Sequence, residues 1–163
     1  MNQLLLNKFQ DNVVANYSNY KLNPISISSD LCCTVRTLQR TIISYYGYSI
    51  MEYVEYFRIL KSIEFTYYYG EKKVCYKVGY KYHSGFCRSF LRITQLHLSF
   101  FSSDQFEENK KVAREVRKLA KENPKEALEL ILNDFAERYT FKNGKMTKKS
   151  IKMTKKSTKK FNM

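Results

Sequence analysis

Three side chains within five positions, Arg36, Gln39 and Arg40, have the chemistry that reads nucleic acid. Arginine can pair bidentately with guanine, glutamine with adenine, and either can contact a phosphate. They lie on the outer side of a helix that Thr34 and Val35 begin, because Leu38 and Ile42 point the other way at helical spacing. A second set, Lys81, Tyr82, His83, Ser84, Cys87 and Arg88, surrounds a buried stripe of Phe86 and Phe90. Lys81 stands where Ser or Asp would cap a helix; it cannot accept free amide hydrogens, but it can reach a phosphate. His83 and Ser84 are the candidate base readers there. Catalysis finds less support. His83 and His97 are the only histidines and have no spaced carboxylate or thiolate partners, so no acid–base pair, catalytic residue or cofactor site is expected. Cys32, Cys33, Cys75 and Cys87 form no Cys-x-x-Cys and no Cys/His quartet, so no metal is expected. They read as reduced structural thiols, with Cys75 at a helix–helix contact. A redox sensor would need a lowered thiol pKa.

The elements that must position these residues are written twice. In the first copy Asn23 caps a helix with Pro24 at its first position and Ile25, Ile27 and Leu31 as its apolar face; the Thr34 helix follows. In the second, Val74 and Val78 supply an apolar face, Gly79 marks the break, and the Phe86/Phe90 helix follows. This is helix-turn-helix grammar. Residues 3–20 carry Leu4, Leu5, Phe9, Val13, Val14 and Tyr17 at helical intervals and read as a brace for the first copy. Gly47 is a left-handed C-cap. From Ser49 to about Thr66, Ile50, Tyr53, Val54, Phe57 and Leu60 form one stripe of a long bridging helix, with Glu52 and Glu55 early in it, where the helix dipole favours acids. The aromatic run Phe65, Tyr67, Tyr68 and Tyr69 could stack on unpaired bases, but without basic interleaving it reads as core or helix-end packing.

At these residues the chain resembles the DNA-binding domain of the AraC/XylS family of bacterial transcription regulators. The resemblance rests on Ile27, Ser28, Leu31, Thr34, Arg36, Thr37, Leu38, Gln39 and Arg40. It continues through Gly47, Ser49, Tyr53 and the linker-helix Arg58, and ends in Val74, Cys75, Gly79, Tyr80, Phe86, Arg88 and Phe90. It covers about half of the chain. It implies promoter binding, with RNA polymerase as a candidate contact. The chain departs from the pattern at Gln95, Leu98 and Ser102, where the family has Gly, Pro and Arg, at Glu71, and in a shorter connection between Arg58 and Val74.

The formal charge is +14, which favours an acidic partner. It divides as +1 for residues 1–22, +5 for 23–101, −1 for 102–141 and +9 for 142–163, so most of the excess is a tail. The tail repeats KMTKKSI as KMTKKST, has no acid, and is expected to be disordered. Between lie a charged, Ala-rich segment with a seam of Val112, Val116, Leu119 and Ala120, and a helix opened by Asn123, Pro124 and Glu126. That helix carries Ala127, Leu128, Ile131, Leu132, Phe135 and Tyr139. The pair either packs on the reading domain or presents residues 104–139 to a second copy or another protein.

The expectation is an all-α fold: a double helix-turn-helix domain over 1–101 with a long linker helix, a C-terminal helical hairpin over 102–141, and a disordered Lys-rich tail over 142–163. The opening leucines are too few for a signal sequence or membrane span, so a cytoplasmic protein without a membrane partner is expected. With about 22 residues before Asn23, no effector-binding domain is expected either. The expected function is a sequence-specific regulator reading two adjacent major-groove segments of double-stranded DNA, about 34 Å apart. The alternative is a co-regulator or anti-activator that binds another regulator, with weak or non-specific nucleic-acid binding. An RNA-binding module rests on charge and tyrosines alone, and an enzyme fits least.

Overall fold

The computed structural model describes residues 2–101, 111, 114, 117–142 and 145–148; the side chains of residues 67, 68, 70, 71, 100 and 138 onward lie outside the description. Three helices build the first unit: α1 (Gln3–Asn16), α2 (Pro24–Asp30) and α3 (Val35–Tyr46). Local chemistry sets their ends. Asn23 accepts from the Ile25 and Ser26 amides while Ser26 reaches back to the Asn23 backbone, and Pro24 needs no partner for an amide it lacks. Thr34 caps α3 through the Thr37 amide, and Gly47 ends it in the left-handed region at φ 77°.

Leu5, Leu6, Phe9 and Val13 of α1 close over Ile27, Leu38 and Ile42, so α1 does brace the first helix-turn-helix. It ends at Asn16 rather than residue 20, and Leu4 and Val14 are exposed. Ile25 also departs from expectation: it is 73% exposed, because on a helix of seven residues only Ile27 and the half-buried Leu31 meet the core.

The axis of the molecule is α4 (Ile50–Lys77), 28 residues or about 42 Å long. Ser49 and Glu52 form a reciprocal capping box at its start, with the Ser49 amide donating to the Glu52 carboxylate at 2.7 Å. Ile50, Tyr53, Val54 and Phe57 belong to the first core; Ile59, Leu60, Ile63, Val74, Cys75 and Val78 belong to the second. The bridging helix therefore does not stop near Thr66: it absorbs the short first helix of the second unit. No proline lies between 50 and 77, and the lone Gly70 costs only about 1 kcal/mol, less than burying Val74 and Val78 returns.

Gly79, at φ 89°, turns the chain into α5 (His83–Thr94), whose Phe86 and Phe90 are buried as the stripe implied. A 3-10 turn (Leu98–Phe101) follows, then α6 (Arg117–Glu122) and α7 (Pro124–Arg138). Ala127, Leu128, Ile131 and Phe135 lie in the second core, with Phe135 against Phe101 at 4.8 Å between ring centres. Of the two arrangements open for this seam, its described residues take the first and pack on the reading domain, α7 chiefly against α4. Val112 and Val116 lie outside the described residues.

The chain then forms an antiparallel pair, β1 (Tyr139–Lys142) with β2 (Lys145–Lys148), in the register Tyr139↔Lys148 and Lys142↔Lys145. This corrects the expectation of disorder from residue 142: Tyr-Thr-Phe favours a strand, and Asn143–Gly144 in the sequence is a strong hairpin signal. It also ends the helix before Tyr139. The fold remains all-α in class. The rest of the tail, 149–163, lies outside the described residues.

Candidate nucleic-acid interface

Burying Leu38 and Ile42 turns the opposite side of α3 outward, so Thr34, Val35, Arg36 and Arg40 are exposed and Gln39 is half-buried beside them. Arg36 and Arg40 are one helical turn apart on one stripe. On α5, burying Phe86 and Phe90 likewise exposes Ser84, Cys87 and Arg88, with His83 half-buried and Lys81 and Tyr82 exposed just before it. The Cys87 sulfur lies 3.5 Å from His83 Nδ1. The cap position falls on Tyr82, one residue after Lys81 where it was expected, and Tyr82 supplies no side-chain cap.

Ion pairing sorts the cations. Arg92 donates to Glu55 at 2.5 Å, which raises its pKa, and so ties α5 to α4. Lys61 and Arg117 share Glu64, and Lys121 meets Asp11 at 2.5 Å. Among the described residues Arg36, Arg40, Lys81 and Arg88 make no ion pair. Their charge is therefore available to an external anion.

Arg58 does structural work instead. It is buried in α4, where desolvation lowers its pKa, and donates from Nε to the Tyr17 carbonyl and from Nη2 to the Asn19 carbonyl, both at 2.8 Å. Its guanidinium lies 5.7 Å from the Tyr80 ring centre, and burial pushes the Tyr80 hydroxyl up to about 12. Gly79 is wedged into the same junction: a Cβ there would meet the Tyr17 carbonyl at 2.2 Å. The 17–19 loop of the first unit is thereby clamped to the turn of the second.

A second tie crosses at the far end of the first unit. The Tyr46 hydroxyl donates to the Glu122 carbonyl at 2.7 Å, Tyr53 donates to the Lys121 carbonyl, and Tyr48 bonds Asn123 Oδ1 at 2.9 Å. Tyr46 and Tyr53 satisfy carbonyls that the end of α6 leaves open, while Tyr48 reaches the side chain of the residue that precedes α7. Burial raises the pKa of all three. The sequence places Tyr53 on the stripe of the bridging helix and announces no role for Tyr46 or Tyr48, since their partners lie about seventy positions away. In the aromatic run, Phe65 is half-buried against the second core and its ring lies 5.7 Å from that of Tyr69.

Among the described residues no disulfide joins Cys32, Cys33, Cys75 or Cys87. Burial and the neighbouring Cys32 push the Cys33 thiol up, and burial does the same for Cys75, the reverse of what a reactive thiolate needs. Among the described residues no group of three or more His, Cys, Asp or Glu is placed to hold a metal, and no helix is long and apolar enough to cross a membrane.

Two helix-turn-helix units sharing one long helix define the class of fold. Within it, the chain is similar to the crystal structure of the C-terminal domain of the two-component response regulator YesN from Fusobacterium nucleatum, with a TM-score of 0.54 at 15% identity over 57% of this chain and 92% of that one. That likeness concerns the fold. No protein-family model matches the sequence, and no curated protein does.

Proposed function

We propose that the chain is a sequence-specific DNA-binding transcription regulator that places α3 and α5 in successive major grooves. The observation that carries this reading is the pairing state of the cations. Arg36 and Arg40 on α3 and Arg88 on α5 stand exposed without an acidic partner among the described residues, while Arg58 and Arg92 are consumed by the scaffold. Arg36, Gln39 and Arg40 read base edges in one groove; His83, Ser84, Cys87 and Arg88 face the next, and Lys81 and Tyr82 meet phosphates. The similarity to the YesN C-terminal domain and the AraC/XylS resemblance support the same assignment. Contact with RNA polymerase, action in the cytoplasm and a non-enzymatic role belong to this proposal.

Selection of bound duplexes from random DNA tests it. The expected result is a bipartite motif whose halves are centred about one helical turn, roughly 34 Å, apart. Binding without any enriched sequence would favour the co-regulator reading, for which the departures around Gln95 are the motive; there the glycine of the family is replaced by a residue held at φ 59°.

A further inference from the structure

We propose that Tyr20, Lys21, Lys81 and Tyr82 form a clamp for the phosphate backbone of duplex DNA at the seam between the two helix-turn-helix units, a contact that rests on the DNA-reading function above. The four residues come from loops about sixty positions apart, and the two lysines approach the one ring of Tyr20. The Lys21 ammonium lies 5.7 Å and the Lys81 ammonium 5.9 Å from the centre of Tyr20, and Lys81 lies 5.2 Å from the centre of Tyr82. Both rings are largely open to solvent, Tyr20 at 51% and Tyr82 at 63%, so they contribute little to either core. Neither lysine makes an ion pair among the described residues, although Lys61, Lys118 and Lys121 all do. Two ammonium groups drawn to one ring repel each other. The negative faces of the rings offset part of that repulsion, and anionic groups brought beside the ammoniums offset more of it.

The clamp is held in place before any ligand arrives. Arg58 fixes the Tyr17 and Asn19 carbonyls, the Lys21 amide donates to Asn19 Oδ1 at 3.0 Å, and Leu22 is buried. On the other side Gly79 abuts the Tyr17 carbonyl, and the Tyr80 amide bonds the Cys75 carbonyl at 2.9 Å. A preorganised pair of cations forfeits less entropy on binding. Its position selects the anion. Lys21 precedes the Asn23 cap of α2 by two residues, and Tyr82 is the cap residue of α5, so the clamp flanks elements of both reading units. Between two successive major grooves a duplex presents its phosphate strand, which a lysine meets as a point charge without reading sequence.

The test is the salt dependence of binding to a random-sequence duplex by the full chain and by its K21A/K81A variant. With two fewer phosphates neutralised, the slope of log affinity against log salt should flatten by about 1.8. A fourfold rise in salt would then weaken the parent about twelvefold more than the variant. The K21R/K81R variant should restore the parent slope, which a merely structural role for the lysines would not require. An unchanged slope in K21A/K81A overturns the clamp, as does a loss confined to single-stranded RNA or the absence of duplex binding by the parent. Selection of preferred sequences is read separately. If R36A/R40A leaves the preferred motif untouched, the groove-reading assignment fails, while the lysine slope still decides the clamp.

Discussion

Gly47 and Gly79 both adopt positive φ, at 77° and 89°, yet replacing each by alanine should have very different consequences. At Gly47 nothing lies within 4 Å of an added Cβ, so Gly47→Ala carries only the left-handed strain of an L-residue, about 1 to 2 kcal/mol. At Gly79 the same strain applies, and the new Cβ sits 2.2 Å from the Tyr17 carbonyl and 2.9 Å from Arg58 Nε. Ordinary contact begins near 3.4 Å, so the carbonyl has to retreat by about 1.2 Å, enough to break the bond from Arg58. A charge-assisted hydrogen bond of this kind contributes about 1.5 to 3 kcal/mol. Gly79→Ala should therefore cost about 2.5 to 5 kcal/mol in total. Urea denaturation followed by circular dichroism, with both variants beside the parent, measures the difference. Equal losses for the two variants would refute the idea that Gly79 marks a close approach between the units.

Phe135→Ala should destabilise by about 3 to 5 kcal/mol if α7 is part of the second core, and thermal melting checks this; an unchanged melting temperature would detach α7 from the fold. Glu52 has a pKa lowered first by the hydrogen bond from the Ser49 backbone, so its stabilising effect is present above the unfolded carboxylate pKa and is lost as pH falls through the lower folded value. Glu52→Gln should accordingly flatten the acid limb of a stability-against-pH curve, and a limb identical to the parent's would count against the capping box. Removing residues 149–163 takes away six lysines, and the salt slope of duplex binding should fall by about two to four units with the preferred sequence unchanged. A constant slope would leave the tail as a solvating segment.

Helix ends were legible because they are written locally: Asn23–Pro24, Thr34, Gly47 and Ser49 with Glu52 each act within four residues of themselves. The stripes Leu38/Ile42 and Phe86/Phe90 were legible for the same reason, and they fix which residues face outward. The continuity of α4 was not, since an aromatic run followed by Gly70 and Glu71 reads equally as an ending, and only the shared second core decides it. Ile25 misled because an apolar residue on a two-turn helix need not find a partner. Arg92 with Glu55, Arg58 with Tyr17, and Tyr46 with Glu122 join positions 37, 41 and 76 apart, and no local pattern announces them. Lys21 and Tyr20 escaped notice likewise, since their neighbour Lys81 belongs to the other unit. The hairpin after α7 was marked by Asn143–Gly144, but the lysine-rich composition obscured it.

The most direct test of the groove-reading account is duplex selection repeated with R36A/R40A and, separately, with S84A/R88A, all four side chains being outward-facing and unnecessary to either core. Each bidentate or phosphate interaction removed should cost about 1 to 3 kcal/mol. The account predicts that R36A/R40A erases one half of the bipartite motif and S84A/R88A the other, with the remaining half and the spacing between halves preserved. A motif retained in full by both variants would contradict it.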